Sequence, residues 1–368
     1  MASVLEHRRE YLRLMRQFTQ DTGYFTVTDI QKAAGIPRST AQDWIMRLVR
    51  EGCVLVKQEK VGRTAARFAA LSAVPQSTCR RIFSTIDNDR VEIFHECMSG
   101  SCAAYCGFHH ARAGGVLTGV ERDGTLLREC AQIGKTSVSI GLSPLSAVGI
   151  CGIERSGDYI VQHIRCIGGP AYSLTDMMSR AEGVTKVELD KSGNIVEGRV
   201  WTRALTLLTI GMDDTDSPEG GATFALALAL LMHLTSGKSI QPISHHAVML
   251  NEAVINKTTG NSASYIEVAV PPSMIDRVIE KSRQFVENES LSPEWGLAFR
   301  TGIVIPATLR KYGTRVREQV IDRSVTEDIA KKSGAILSGG NGTIGALGAV
   351  ALARLSHEIQ LDPKRKIA

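Results

Sequence analysis

Three carboxylates stand within four residues at Asp213-Asp214-Thr215-Asp216, with Ser217 and Pro218 directly after them. Like charges held so close repel, and a folded chain keeps them together only where solvent, cations or partners relieve the repulsion. Magnesium does this well, because it prefers hard oxygen ligands and is commonly shared between one or two carboxylates and the phosphates of a nucleotide. Asp213, Asp214 and Asp216 are therefore candidate magnesium ligands and catalytic residues, with the Thr215 and Ser217 hydroxyls beside them. The plainer alternative is an exposed acidic turn ahead of a helix.

Two further segments favour the nucleotide. Lys257, Thr258 and Asn261 place a lysine, a hydroxyl and an amide beside Gly260. Near the end of the chain, Gly339, Gly340, Gly342 and Gly345 form a glycine-rich loop entering an apolar helix, a layout that lets backbone amides approach phosphates. One glycine-rich loop says little, but together with the acidic turn it points to ATP with magnesium.

A second constellation runs Cys97, Cys102, Cys106 and His109, with His95 just upstream. Thiolate and imidazole bind zinc or iron-sulfur clusters, and these residues could supply most of a tetrahedral site. Gaps of four and three residues also suit a helix carrying small buried cysteines. Both readings fit the spacing. Cys53, Cys79, Cys130, Cys151 and Cys166 read as small buried hydrophobes.

A third set lies in the first 75 residues, which carry twelve Lys or Arg against seven Asp or Glu and so hold the whole net charge of +5. Such asymmetry points to an acidic partner for this part alone. After the turn Ala33 to Pro37, Ser39 and Thr40 open a helix that turns Ala41, Ile45, Leu48 and Val49 inward. Ser39, Gln42, Asp43, Met46 and Arg47 then face bases, while Arg38, Lys60 and Arg63 face phosphates of DNA or tRNA. The competing use of the same module is docking onto a protein.

The elements that must position these groups follow from local pattern. Residues Leu5 to Gln17 form a helix, a second starts at Thr26 to Thr28 with Thr28 as its cap, and Val54 to Val56 and Arg67 to Ala69 pair around the basic turn Lys57 to Arg63. That is the outline of a winged helix-turn-helix. From Gln76 to Trp201, β-branched runs such as Ser137 to Ile140, Tyr159 to Val161 and Lys186 to Leu189 suggest a mixed α/β domain, with a hairpin at Asp190 to Asn194. The apolar run Leu205 to Ile210 is a strand feeding the acidic turn. Thr223 caps the helix after it, whose first amides can face an anion. Later come a strand at Tyr265 to Val270, a helix at Met274 to Glu287 and a basic helix beyond Pro306, where Lys311 or Arg315 reaches phosphates or simply faces solvent.

The whole chain is consistent with this division. At 368 residues, 43% hydrophobic and 22% charged, it is a soluble globular sequence with room for two or three domains. Its most apolar stretch, Phe224 to Met232, is about half the length of a membrane span and reads as a buried helix. No apolar segment follows a basic leader at the start, so a cytoplasmic, reducing location is expected, with no membrane partner.

Residues Leu205 to Leu355 resemble the catalytic portion of the archaeal isoleucine-tRNA agmatinylcytidine synthetase family. The family's Gly-Ile-Asp-Asp-Thr-Asp-Ser, Lys-Thr-Arg-Gly-Asn-Gly-Ala and Gly-Gly-Arg-Gly-Val-Ile-Gly-Ala motifs align with Gly211 to Ser217, Lys257 to Ala263 and Gly339 to Ala346. The resemblance implies a kinase-like ATP site with a ferredoxin-like segment at 240–303, in which the aspartates hold magnesium and Lys257 faces phosphate or substrate. Ala222, Thr259, Ser262 and Asn341 depart from the motifs. These departures favour a paralogue of the kind found among methanogenesis marker proteins.

The expected fold is thus α/β and multidomain: a winged helix-turn-helix at 1–75, a cysteine-containing α/β domain at 76–204 and the kinase-like core at 205–368. The expected function is ATP- and magnesium-dependent activation of a substrate oxygen by phosphoryl or adenylyl transfer. The alternatives are a DNA-binding regulator with a degenerate nucleotide-sensing core and an assembly factor for a methanogenesis enzyme.

Overall fold

The structure, a computed structural model, describes residues 3–62, 64–73, 78–167, 177–254 and 260–367. The chain divides into two compact units, Met1–Thr78 and Cys79–Ala368.

In the first unit, α1 (Val4–Thr22) begins at a capping box in which Ser3 and Glu6 satisfy each other's backbone amides. The same device starts α2 (Val27–Ala34), where Thr26 and Asp29 are the partners. The cap is thus Thr26 and not Thr28, whose hydroxyl instead accepts from Arg38 Nη1 at 3.0 Å. Helix α3 (Arg38–Arg50) follows Pro37, and β1 (Val54–Gln58) pairs antiparallel with β2 (Arg67–Ala70). Met15, Phe25, Ile30, Ala41, Ile45, Leu48 and Phe68 close the core.

The second unit is built around β11 (Ile195–Asp213), a 19-residue strand shared by two sheets. Its first half lies between β9 (Tyr159–Ile167) and β10 (Val184–Ser192), in a meander that continues through β8 (Val148–Ser156) to β7 (Gly134–Lys135). Midway, Ala204 and Leu205 pair parallel with Ser84 and Thr85 of β3 (Cys79–Asp87). That strand opens an antiparallel sheet with β4 (Arg90–Cys97), β6 (Leu126–Gln132) and β5 (Leu117–Asp123), against which α4 (Gly100–Ala113) packs. Ser137 to Ile140, expected as a strand, makes isolated bridges only.

The second half of β11 is the centre of another sheet, ordered β12 (Gln241–Met249), β13 (Ser262–Val270), β11, β14 (Gly296–Thr301), β15 (Ile336–Gly339), with every pair antiparallel. Helices α5 (Thr223–Leu234) and α6 (Ile275–Glu289) cover one face, packing on Leu208, Ile210 and Met212. The other face carries α7 (Ala307–Glu318), α8 (Arg323–Ser333) and α9 (Thr343–Leu352), and α10 (His357–Leu361) follows in sequence. The chain order β11-α5-β12-β13-α6-β14 is a β-α-β-β-α-β unit. It therefore opens on β11, well before residue 240.

Segments 79–204 and 205–368 thus share one sheet system, and an ion network crosses between them. Buried Glu267 on β13 accepts from Arg128 Nη2 of β6 at 2.6 Å and from Arg354 Nε at 3.0 Å, while Arg354 Nη2 reaches Glu92 of β4 at 2.6 Å. Burial alone would raise the Glu267 pKa, but the two guanidinium groups hold it well below the ordinary carboxylate range.

Helix α5 differs from expectation. Its Ala227, Leu230, Leu231 and Leu234 are buried, whereas Phe224, Leu228 and Met232, spaced every four residues, are exposed. No helix among the described residues is long and apolar enough to cross a membrane.

Candidate functional site

Strand β11 ends in the acidic turn, and local geometry decides where each carboxylate points. Asp213 is the last strand residue and is buried, while Asp214 takes a left-handed backbone at φ 53°, a conformation that Asp tolerates better than most residues. A tight turn then closes between Ser217 and Gly220, whose backbones exchange hydrogen bonds of 2.9 and 3.1 Å. The Thr223 hydroxyl lies 3.0 Å from Thr215 Oγ1 and donates to Asp216 Oδ1 at 3.2 Å. The Thr215 carbonyl is fixed in turn by Leu291 N at 3.0 Å and Ser290 Oγ at 3.2 Å, so the loop after α6 holds the turn from outside.

These elements line a cavity of about 670 Å³ bordered by Asp213, Asp214 and Asp216, by Gly221 to Phe224, by Gly260 to Ser262, and by Ser292, Glu294 and Asn341. Every side-chain donor named there is oxygen or amide. Burial raises the Asp213 carboxyl well above its ordinary pKa, and the negative charges of Asp214 and Asp216 add to it. Partial burial, then Asp216, then Glu294 raise Asp214 in the same direction. The site is thus a pocket of underneutralised carboxylates.

Glu294 was not singled out in the sequence. It sits about eighty residues after the acidic turn in Ser292-Pro293-Glu294-Trp295, which carries no motif, and only the fold brings it to the cavity wall beside Asp214.

The helix start also differs from expectation. Thr223 is the first helical residue, and Ala222, the N-cap, makes no side-chain bond to the helix. The Thr223 hydroxyl is turned to Asp216 instead. The start of α5 therefore lies uncapped at the cavity wall.

The glycine-rich loop packs closely against the strand that carries the acidic turn. Gly340 N donates to Trp295 O and Gly342 N to Glu294 O, both at 2.7 Å, and Asn341 N donates to Glu294 Oε2 at 3.0 Å. Those amides are committed to the loop before β14. A Cβ on Gly342 or Gly345 would run into Asp213, and one on Gly339 into Trp295. The glycines let α9 lie against β11 and β14, and of this loop only Asn341 borders the cavity. Asn261 borders it too, anchored through Nδ2 to Asn251 O at 2.8 Å. Thr215 and Ser217 brace the turn without lining it, and Lys257 and Thr258 lie outside the described residues.

In the other constellation the structure joins a different set. His95, Cys97 and Cys106 bring their ligand atoms within 4.8 Å of one another, and Cys79 Sγ lies 3.0 Å from His95 Nε2. Cys102 stands one turn before Cys106 on α4 and is only partly buried. His109 does not join: Cys106 and His110, four apart, share the inward face of α4, whereas the His109 ring lies against Tyr105, centroids 4.3 Å apart and the planes tilted by 58°. In the first unit, Arg38, Ser39, Gln42, Arg47 and Lys60 are exposed, and Arg63 lies outside the described residues.

Residues 209–339 match the TiaS TCKD domain family. The C-terminal region of this chain carries that domain, and the acidic turn lies inside it. An uncharacterized protein of Methanocaldococcus jannaschii is 24% identical over 272 residues, which is 73% of this chain and 90% of that protein. The isoleucine-tRNA 2-agmatinylcytidine synthetases TiaS of Pyrococcus horikoshii and Methanocorpusculum labreanum are 32% and 30% identical over 171 and 162 residues, or 44% and 40% of this chain. The chain spans only 39% and 36% of their lengths. Among solved structures, the complex of TiaS with its isoleucine tRNA and ATP gives a TM-score of 0.37 at 22% identity, covering 40% of this chain and 36% of that one.

Proposed function

We propose that this chain is an ATP- and magnesium-dependent enzyme of the TiaS-like superfamily, activating an oxygen of its substrate by phosphoryl or adenylyl transfer at the acidic cavity. The observation that carries the reading is the convergence of Asp213, Asp214, Asp216 and Glu294 on one cavity beside the uncapped start of α5. The donor set fits magnesium, since it offers carboxylates and amide or hydroxyl oxygens and no thiol or imidazole. Asp213, Asp214 and Asp216 would hold the ion, which when bound neutralises triphosphate charge.

The remaining work belongs to the chain itself. The amides of Thr223, Phe224 and Ala225 lie in the first turn of α5, where no intrahelical carbonyl claims them, and they suit a phosphate. Thr223 orients Asp216 through its hydroxyl. Lys257 and Thr258 belong to the connection that leads into Gly260 and Asn261 at the cavity wall, which supports a role for Lys257 on phosphate or substrate. The two TiaS relatives that share this domain are synthetases, which supports a nucleoside triphosphate as the co-substrate here.

The first unit we read as a winged helix-turn-helix, with α3 as the reading helix and the β1–β2 connection as the wing. Arg38, Ser39, Gln42 and Arg47 lie exposed on α3 with Lys60 in the connection, a layout that suits nucleic acid.

Calorimetry or thermal unfolding tests the reading. ATP with Mg²⁺ raises the melting temperature of the wild-type chain, Mg²⁺ or ATP alone raises it less, and Asp214→Asn abolishes the effect. A wild type that shows no shift at millimolar MgATP sinks the idea.

A further inference from the structure

We propose that Cys79, His95, Cys97 and Cys106 form a tetrahedral site for one zinc ion, separate from the acidic cavity. These residues come from three elements. Cys79 opens β3, His95 and Cys97 sit two apart on β4 and so point to one face, and Cys106 comes from the inward face of α4. The antiparallel ladder pairs Cys79 directly with Cys97, and α4 lies across that end of the hairpin.

Distances around the cluster match a ligand set in search of its ion. His95 Nε2 lies 3.0 Å from Cys79 Sγ and 3.8 Å from Cys97 Sγ, and the Cys106 thiol lies within 4.8 Å of both His95 and Cys97. Zinc bound by thiolates at about 2.3 Å places neighbouring ligand atoms roughly 3.5–3.8 Å apart. The ligand atoms of His95, Cys97 and Cys106 lie within 4.8 Å of one another, so rotation of these side chains, with the Cys79 thiol swinging in from beside His95, would seat the ion.

Burial points the same way. Cys79, His95, Cys97 and Cys106 are 5%, 4%, 0% and 7% exposed. A buried imidazole costs stability unless a good partner takes its ring nitrogen, and a thiol is a weak one. Were these positions only core, an aliphatic side chain in place of His95 would pack without that cost. Three thiolates and one imidazole are the donor set of a structural Cys₃His zinc site, with no position left open for substrate. An iron-sulfur cluster fits less well, because its ligands are four thiolates, or two with two imidazoles, spread around several irons. The ion would pin α4 to the β3–β4 hairpin, in a unit whose apolar contacts there are few: Ala103 and Leu127, with Val120 at the margin.

The test uses the full chain. Purified wild type, or wild type incubated with zinc and desalted, should hold about one zinc per chain by elemental analysis. Cys97→Ser and Cys106→Ser should lose it, while His109→Ala and Cys130→Ser, both outside the set, should keep it. If the serine variants fail to fold, cobalt decides: wild type loaded with Co²⁺ should show thiolate-to-metal charge-transfer absorption and tetrahedral ligand-field bands. Native thiol titration should gain three reactive cysteines when a chelator removes the metal. A zinc content below about a tenth of an equivalent after loading, an octahedral cobalt spectrum, or loss of zinc in His109→Ala would overturn the assignment.

Discussion

Asp213→Asn should make the ligand-free protein more stable and its binding of nucleotide weaker. Asp213 is 7% exposed, and its carboxyl is pushed well above the ordinary value first by desolvation and then by Asp214 and Asp216. A carboxyl whose folded pKa is raised binds protons better in the folded state, so its penalty is absent below the unfolded value of about 3.9. The penalty grows as pH rises through the folded value and is complete above it. Each pH unit that separates the folded value from the unfolded one is worth about 1.4 kcal/mol. Asparagine keeps the shape but never ionises, so we expect the variant to be more stable than wild type at pH 8, by on the order of 1 kcal/mol or more, and equal to it near pH 4. The same change removes an anionic ligand. In wild type, MgATP at a hundred times its dissociation constant should add about 2.7 kcal/mol, and in the variant well under 1. Urea unfolding at pH 4 and pH 8, with and without MgATP, measures all four quantities. A variant less stable than wild type at pH 8 without ligand, or one that keeps the full MgATP gain, refutes the account.

Packing of α9 gives a second expectation. A Cβ on Gly211 would lie 2.0 Å from Ala346 O, about 1.4 Å inside ordinary contact, and both atoms are set by backbone. Gly211→Ala should therefore cost about 3 kcal/mol or more and weaken MgATP binding, whereas Gly237→Ala, with nothing within 4 Å, should stay within about 0.5 kcal/mol of wild type; equal denaturation midpoints would contradict this. The buried network gives a third. Glu267→Ala leaves Arg128 without its carboxylate and Arg354 with Glu92 alone, at a cost of about 3–5 kcal/mol. Because the Glu267 pKa is lowered, its contribution is present above the unfolded value and fades as pH falls below it, so the gap between variant and wild type should narrow from pH 6 to pH 3. A gap that is constant or widens on acidification would count against the ion network as its source.

What the sequence made legible was the local sequence of strand, acidic loop and helix. An apolar run followed by Asp213, Asp214 and Asp216 and then by a helix former leaves little freedom, and each piece lies within about twenty residues. Contacts across the fold were not legible. Cys79 joins His95 and Cys97 only through the register of β3 against β4, and no spacing along the chain encodes that register. His109 satisfied the spacing as well as Cys106 did, but the helix turns it aside. Glycines were legible as glycines but not as to purpose, because a loop that admits a phosphate and a helix that must touch a strand both require a missing Cβ.

The boundary expected at Leu205 has a physical meaning of another kind. From Ile195 to Arg203 the residues of β11 alternate between buried and partly exposed, as in a sheet with one wet face; from Ala204 to Asp213 nearly every residue is buried. The strand does not end there. It passes from a sheet solvated on one side into one covered by helices on both, and its sequence shifts with the burial. Since the strand itself is unbroken, the meander and the acidic cavity share a backbone ladder, and Arg354 ties the β4 and β13 sheets together a second time through Glu92 and Glu267. Substitutions in either sheet should therefore lower one common unfolding transition, and the acidic turn, at the far end of β11, inherits its rigidity from both.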